Sequence, residues 1–182
     1  LTEEDLLFKI AREPFTHLIN ERAPQTHNHE VLIVEGYPTY HTLKTMIERD
    51  LPWNFGPVPR FLIWGEGYRI HRTIDFLYEL CLDPQELTIR YIGDMDYEGF
   101  NIYIELKRKN AQLTINLAHA FYSFLSHYVN EFAANVLANQ RIDDSYLLIL
   151  KEEVKEYKEV HEVINYLWKH GKRIPQECIN LE

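Results

Sequence analysis

A chain of 182 residues, 46% hydrophobic and 26% charged, has the size and composition of one compact domain that can bury a core without disulfides or a structural metal. Its 28 Asp and Glu against 19 Lys and Arg leave a formal charge of −9, which excludes a domain that grips nucleic acid by bulk electrostatics alone. An aromatic content of 13% excludes a disordered chain.

Thr2 followed by Glu3, Glu4 and Asp5 reads as a capping box opening a first helix, which stops near Pro14. The polar stretch from Asn20 to Glu30 reads as a linker. Short apolar runs then alternate with longer amphipathic ones. Val31 to Val34 precedes a helix over Thr39 to Arg49, Phe61 to Trp64 precedes one over Ile70 to Cys81, and Leu87 to Ile92 precedes one over Gly99 to Lys109. Apolar strands without alternation are what a parallel sheet needs when helices cover both faces, so the expected core is a doubly wound α/β sheet. Leu113 to Leu117 reads either as a fourth strand or as the start of the next helix. From 117 to 170 the spacing is helical almost throughout, with Phe121, Phe124, Leu125, Tyr128 and Phe132 on one core stripe, a helix start at Asp143 and Asp144, and a stop at Gly171. The expected parts are a helix and linker over 1–29, an α/β core over 30–117 and a helical extension of the same domain over 118–182.

Cys81 and Cys178 form no CxxC pair, so neither a disulfide scaffold nor a cysteine zinc site is expected. His27 and His29 stand without neighbouring ligands and read as linker residues. No apolar run approaches the roughly 20 residues of a membrane span, and the N-terminus lacks the pattern of a signal peptide, so a cytoplasmic protein is expected. The chain begins at Leu1 rather than Met, as a piece of a longer polypeptide would.

Five of the seven glycines, Gly36, Gly65, Gly67, Gly93 and Gly99, follow a core strand or lie in its turn. In an open parallel sheet that edge is where ligands bind. The acids gather there too: Glu35 after the first strand, Glu66 after the second, Asp94 and Asp96 after the third. Spacing of i and i+2 in extended backbone points Asp94 and Asp96 the same way, so that both can share one cation. An all-oxygen set suits Mg²⁺ or Mn²⁺. The alternative for each acid is a solvated turn whose carboxylate caps the next helix. Arg69, His71 and Arg72 open the helix after the glycine turn and read either as phosphate contacts or as a solvated basic face. Tyr68 either stacks near the site or packs its ring, and Lys107 to Lys109 meet a helix dipole.

In order and spacing, "VLIVEGYPTYHTL", "FLIWGEGYRIHRTIDFL" and "YIGDMDYEGFNIYIELK" resemble the toprim domain of the topoisomerase VI A group, and most closely the C-terminal domain of the JetD nuclease subunits of bacterial Wadjet plasmid-defence systems. The resemblance covers about residues 30–110 and, more loosely, the helical tail with its closing "KRIPQECI". It implies a toprim fold and Mg²⁺-dependent cleavage of DNA phosphodiester bonds. Asp94 and Asp96 would hold the cation, and Glu35 would ligate a second one or handle the proton. It also implies SMC-type motor subunits as partners and a homodimer with two sites. Two positions depart from the pattern: Gly36 replaces an Asn, and Pro175 replaces an acid, leaving Glu177 as the auxiliary acidic residue of that segment. The winged-helix domain that carries the attacking tyrosine in the topoisomerase group has no counterpart in these 182 residues, which therefore cannot complete a tyrosyl mechanism; with water as the nucleophile the cleavage is hydrolytic. Two rivals remain: a silent toprim that binds DNA or a partner without cutting, and an Asp-x-Asp phosphatase. The second is disfavoured because its pair follows the first strand, not the third.

Overall fold

The computed structural model describes residues 12–24, 28–80, 83–136, 140 and 143–180. The capping box at Thr2, His27 and Cys81 lie outside the described residues. The strands are β1 (His17–Ile19), β2 (His29–Val34), β3 (Phe61–Trp64), β4 (Leu87–Ile92) and β5 (Thr114–Leu117), in the spatial order β1-β3-β2-β4-β5. β2 to β5 run parallel, and β1 closes one edge antiparallel to β3. Val31 to Val34 are fully buried, as a strand covered on both faces requires. The Leu113 to Leu117 run thus resolves as strand.

The helices between strands are α1 (Tyr37–Glu48), α2 (Ile70–Thr73) and α3 (Tyr97–Lys109). The chain runs from β2 outward to β3, then crosses back past β2 to β4 and onward to β5. Right-handed crossovers therefore put α1 on one face and α2 and α3 on the other. α2 and α3 touch each other, while α1 and the later α4 (His119–Ser126) both meet the C-terminal 3₁₀ turn Gln176–Asn180.

The expected helix over Ile70 to Cys81 is a single α-turn flanked by 3₁₀ segments, Gly67–Arg69 and Ile74–Leu80. Thr73 Oγ1 donates to the Arg69 carbonyl at 3.3 Å where the α-turn ends, and Ile70, Thr73 and Ile74 are β-branched, so the local preference for a continuous helix is weak. The tail is also less continuous than its spacing indicates. After α4 come α5 (Val129–Phe132), β6 (Ala134–Asn135), α6 (Asp144–Glu153), α7 (Lys158–His170) and β7 (Lys172–Arg173), with β6 and β7 paired as a small antiparallel sheet. Phe132, expected in the core, is 39% exposed because α5 lasts one turn before the chain turns into β6. α6 starts on Asp143, whose carboxylate accepts from the Ser145 amide, and α7 stops on Gly171 in the left-handed region at φ 56°. Tyr103, Lys107 and Glu153 lock α6 to α3: Lys107 Nζ donates to Glu153 at 3.0 Å, the Tyr103 hydroxyl bonds the same carboxylate, and that carboxylate accepts from the Leu117 amide. Among the described residues no helix is long and apolar enough to cross a membrane.

Candidate active site

β2 and β4 are neighbours, with Val34 paired to Ile92, and the Glu35 amide continues the ladder to the Ile92 carbonyl at 2.9 Å. The chain leaves these two strands in opposite directions, toward β3 and toward β5, which makes the crevice beyond their carboxyl ends the switch point of the sheet. Glu35 and Asp94 stand on its two sides. Two glycines let the chain close around them. A Cβ on Gly93 would lie 2.1 Å from Glu35 Oε2, so the carboxylate crosses the end of β4 only because that residue has no side chain. A Cβ on Gly99 would lie 2.3 Å from the Asp94 carbonyl oxygen, so the first turn of α3 can pack directly on the Asp94 backbone.

Glu35 is partly buried, and its Oε2 accepts from the Tyr91 hydroxyl at 3.0 Å. Burial pushes its carboxyl up to about 8, with Asp94, Asp96 and Glu98 pushing the same way and the Tyr91 bond opposing. Asp94 Oδ1 accepts from the Gln176 amide at 2.9 Å, and its Oδ2 accepts from Arg173 Nη1 at 3.3 Å. Burial raises Asp94 to about 6, with Asp96 and Glu177 adding to the rise and the Gln176 amide and Arg173 restraining it.

Asp96 is buried and is the N-cap of α3. Its Oδ1 accepts from the Gly99 amide at 2.8 Å and its Oδ2 from Gln140 Nε2 at 2.7 Å. Replacing Asp96 by Ala is expected to cost about 1–2 kcal/mol in thermal unfolding, while Asn, an equally good cap, costs less and removes the charge. Equal melting of Asp96→Ala and the parent would remove the cap from this account.

The donor set is carboxylate oxygen throughout, and besides burial, the larger cause, neighbouring acids add to the rise of Glu35 and Asp94, a part that a cation would relieve. Among the described residues, no three His, Cys, Asp or Glu side chains form a group that could hold a metal, so Glu35, Asp94 and Asp96 are not gathered into one three-acid cage. Mg²⁺ is commonly held through one or two carboxylates and otherwise by water and phosphate.

Asp94, Asp96 and Glu98 act on Glu35, and Asp96, Glu177 and Arg173 act on Asp94. Glu66 occupies the left-handed region at φ 54° and receives Arg69 Nη1 at 2.6 Å. Arg69 also reaches Glu13 at 3.0 Å, and Arg72 lies 3.8 Å from the same carboxylate. His71 turns inward, with Nε2 at 2.9 Å from the Ile102 carbonyl oxygen, and burial lowers its pKa. Tyr68 is exposed and meets the His71 ring edge-on. Glu177 is exposed beside Gly36, where a Cβ would lie 3.2 Å from its Oε1.

Several residues at this edge carried no signal of their own in the sequence. Tyr91 and Tyr122 are fully buried, Tyr91 holding Glu35 and the Tyr122 hydroxyl accepting from the Gly93 amide at 3.1 Å. A tyrosine inside an apolar run needs a polar partner when buried, and that is the cue that could have marked both. Gln176 is 2% exposed and accepts from the Gly36 amide at 3.1 Å while its own amide serves Asp94, so it ties the ends of β2 and β4 together. Its side chain packs directly on Gly36, where a Cβ would come within 3.0 Å of its Cδ and Nε2. Arg173 and Gln176 both lie in the closing segment from which the sequence singled out Glu177 alone.

No curated protein matches the chain. The family model described as Wadjet protein JetD, C-terminal, matches residues 8–182, nearly the whole length. With its α/β sheet, its strand-end acids and that match in place, the chain belongs to the family of JetD C-terminal domains.

Proposed function

We propose that the strand-end acids form a Mg²⁺- or Mn²⁺-dependent site that cleaves DNA phosphodiester bonds, as the nuclease part of a Wadjet-type defence complex. Membership of the JetD family supports the nuclease reading in general. The observation that carries the site is the pairing of Glu35 and Asp94 at the switch point, both raised by burial and by neighbouring acids. A bound cation would polarise the scissile phosphate and stabilise the leaving oxygen. Asp94 and Asp96 are the proposed ligands. Glu35, its carboxyl raised to about 8 while no cation offsets its neighbours, is placed to carry a proton, with Tyr91 orienting the carboxyl by donating to Oε2. The proposed partners are DNA, the SMC-type motor subunits of such a complex, and a second copy of this chain supplying a second site.

Calorimetry with Mg²⁺ and Mn²⁺ on the chain and on Asp94→Ala, paired with nicking of supercoiled plasmid, tests this reading. The variant is expected to lose at least about 10-fold in metal affinity, the loss typical even of outer-shell partners, and to lose metal-dependent nicking. One observation favours the silent alternative: Asp94 and Asp96 each already accept hydrogen bonds from protein donors at both oxygens. Under that reading Asp94→Ala keeps its DNA affinity and the parent neither nicks nor binds metal.

A further inference from the structure

Arg173 is the one cation that forms an ion pair with Glu35, Asp94, Asp96, Glu98 or Glu177 among the described residues. Its backbone is held independently of that pair. Arg173 is paired to Ala134 in the small sheet, and the next residue, Ile174, bridges to Met95 through Met95 N to Ile174 O at 2.9 Å and Ile174 N to Met95 O at 3.3 Å. The guanidinium is thus delivered to the crevice by strand pairing on both sides, and its contact with Asp94 does not set its position.

That contact is also a poor use of an arginine. A single Nη1 donor reaches Asp94 Oδ2 at 3.3 Å, longer than a well-formed charge-assisted bond, whereas the guanidinium fork is built to make two parallel bonds to one anion. Its Nε is buried and has no hydrogen-bond partner among the described residues. An orphaned buried donor of a charged group is costly and marks a place where another acceptor belongs. One quarter of the side chain remains exposed, so an acceptor can reach it from solvent. Of the other cations expected to meet phosphate, Arg69 is paired with Glu66 and Glu13 and His71 is bonded to the Ile102 carbonyl, while Arg72 is largely exposed, 3.8 Å from Glu13.

We propose that Arg173 is a phosphate-binding residue of this site, its guanidinium passing from Asp94 to non-bridging oxygens of the DNA backbone when DNA enters the crevice. The inference rests on the nuclease reading above and deepens it by naming the group that grips the substrate. An acidic crevice in a chain of charge −9 repels a phosphate unless a cation is fixed inside it, and Arg173 is such a cation.

The test is fluorescence anisotropy with a short labelled DNA duplex over a series of salt concentrations, with Ca²⁺ replacing Mg²⁺, on the parent, Arg173→Gln and Arg173→Lys. Metal affinity and melting temperature are measured in parallel. For Arg173→Gln, the expected results are a loss of about 10-fold in DNA affinity at low salt and a fall of about 1 in the slope of log affinity against log salt. Its metal affinity should equal or exceed that of the parent, because a competing cation has left Asp94. Arg173→Lys, which keeps the charge and loses the fork, should restore the slope but not the full affinity, and it stands in if the Gln variant melts early. Parent-like DNA affinity and slope in the Gln variant overturn the inference and leave the nuclease reading intact. A parent that binds no DNA and nicks no plasmid overturns both.

Discussion

Glu35→Gln is expected to be more stable than the parent above pH 8 and indistinguishable from it below pH 4.5, in metal-free buffer. Folding raises the Glu35 carboxyl from 4.5 to about 8, so between those values the folded protein binds more protons than the unfolded chain. Stability therefore falls as pH rises through that window and levels off beyond it. Gln is close in shape, can accept from the Tyr91 hydroxyl and carries no charge to strand. The gap above pH 8 should reach about 3 kcal/mol, less than the full shift implies because water still reaches and screens the partly exposed carboxylate. For a domain of this size that corresponds to a rise in melting temperature on the order of 6–12 °C. Adding Mg²⁺ should narrow the gap by stabilising the parent more than the variant, since a cation held by Asp94 and Asp96 also offsets the stranded Glu35 charge, which the variant lacks. Melting curves across pH check this, and a gap that does not change with pH would sink the assignment of Glu35 as the stranded charge.

Gly99→Ala and Gly93→Ala should separate the scaffold from the site. At Gly99 the new methyl would lie 2.3 Å from the Asp94 carbonyl oxygen and 3.1 Å from the Asp94 amide nitrogen, both backbone atoms fixed at the end of β4. Neither can give way without moving α3, so a loss of about 3 kcal/mol is expected, at the upper end of overpacking costs. At Gly93 the clash is with Glu35 Oε2 at 2.1 Å, the far end of a side chain that can rotate away from Tyr91. That substitution should cost about 1 kcal/mol in stability but displace the carboxylate and strongly weaken metal-dependent nicking, while Asp94 and Asp96 still hold the ion. Denaturant unfolding and plasmid nicking distinguish the two. If Gly93→Ala nicks plasmid as the parent does, Glu35 is not where the reaction needs it.

The strands β2, β3 and β4 were legible because an apolar run followed by glycine punctuation is a local signal, and the parallel arrangement followed from the helices between them; β5 stayed open between strand and helix until the sheet placed it. Helix α3, the Asp143 helix start and the Gly171 stop were legible from local spacing and capping signals, whereas the Asp96 cap stood only as the alternative to a metal role. β1 was not, since three residues at an edge carry too little pattern, and neither was the early break at Thr73, where a hydroxyl competes for a backbone carbonyl. The acids Glu35, Asp94 and Asp96 were visible as strand-end residues.

Sequence alone determined the α/β class, the carboxyl edge on which the acids lie and the resemblance to JetD. Only the tertiary structure decided that β2 and β4 are neighbours, which sets Glu35 against Asp94. The same packing gave Asp96 to the helix cap and returned Arg173 and Gln176 to Asp94 from 79 and 82 residues away. Residue type and spacing report which face of an element is buried, because that follows from the period of the element itself. Strand order and register depend on which surfaces pack together, and a glycine's value as empty space exists only once another residue needs to pass through it.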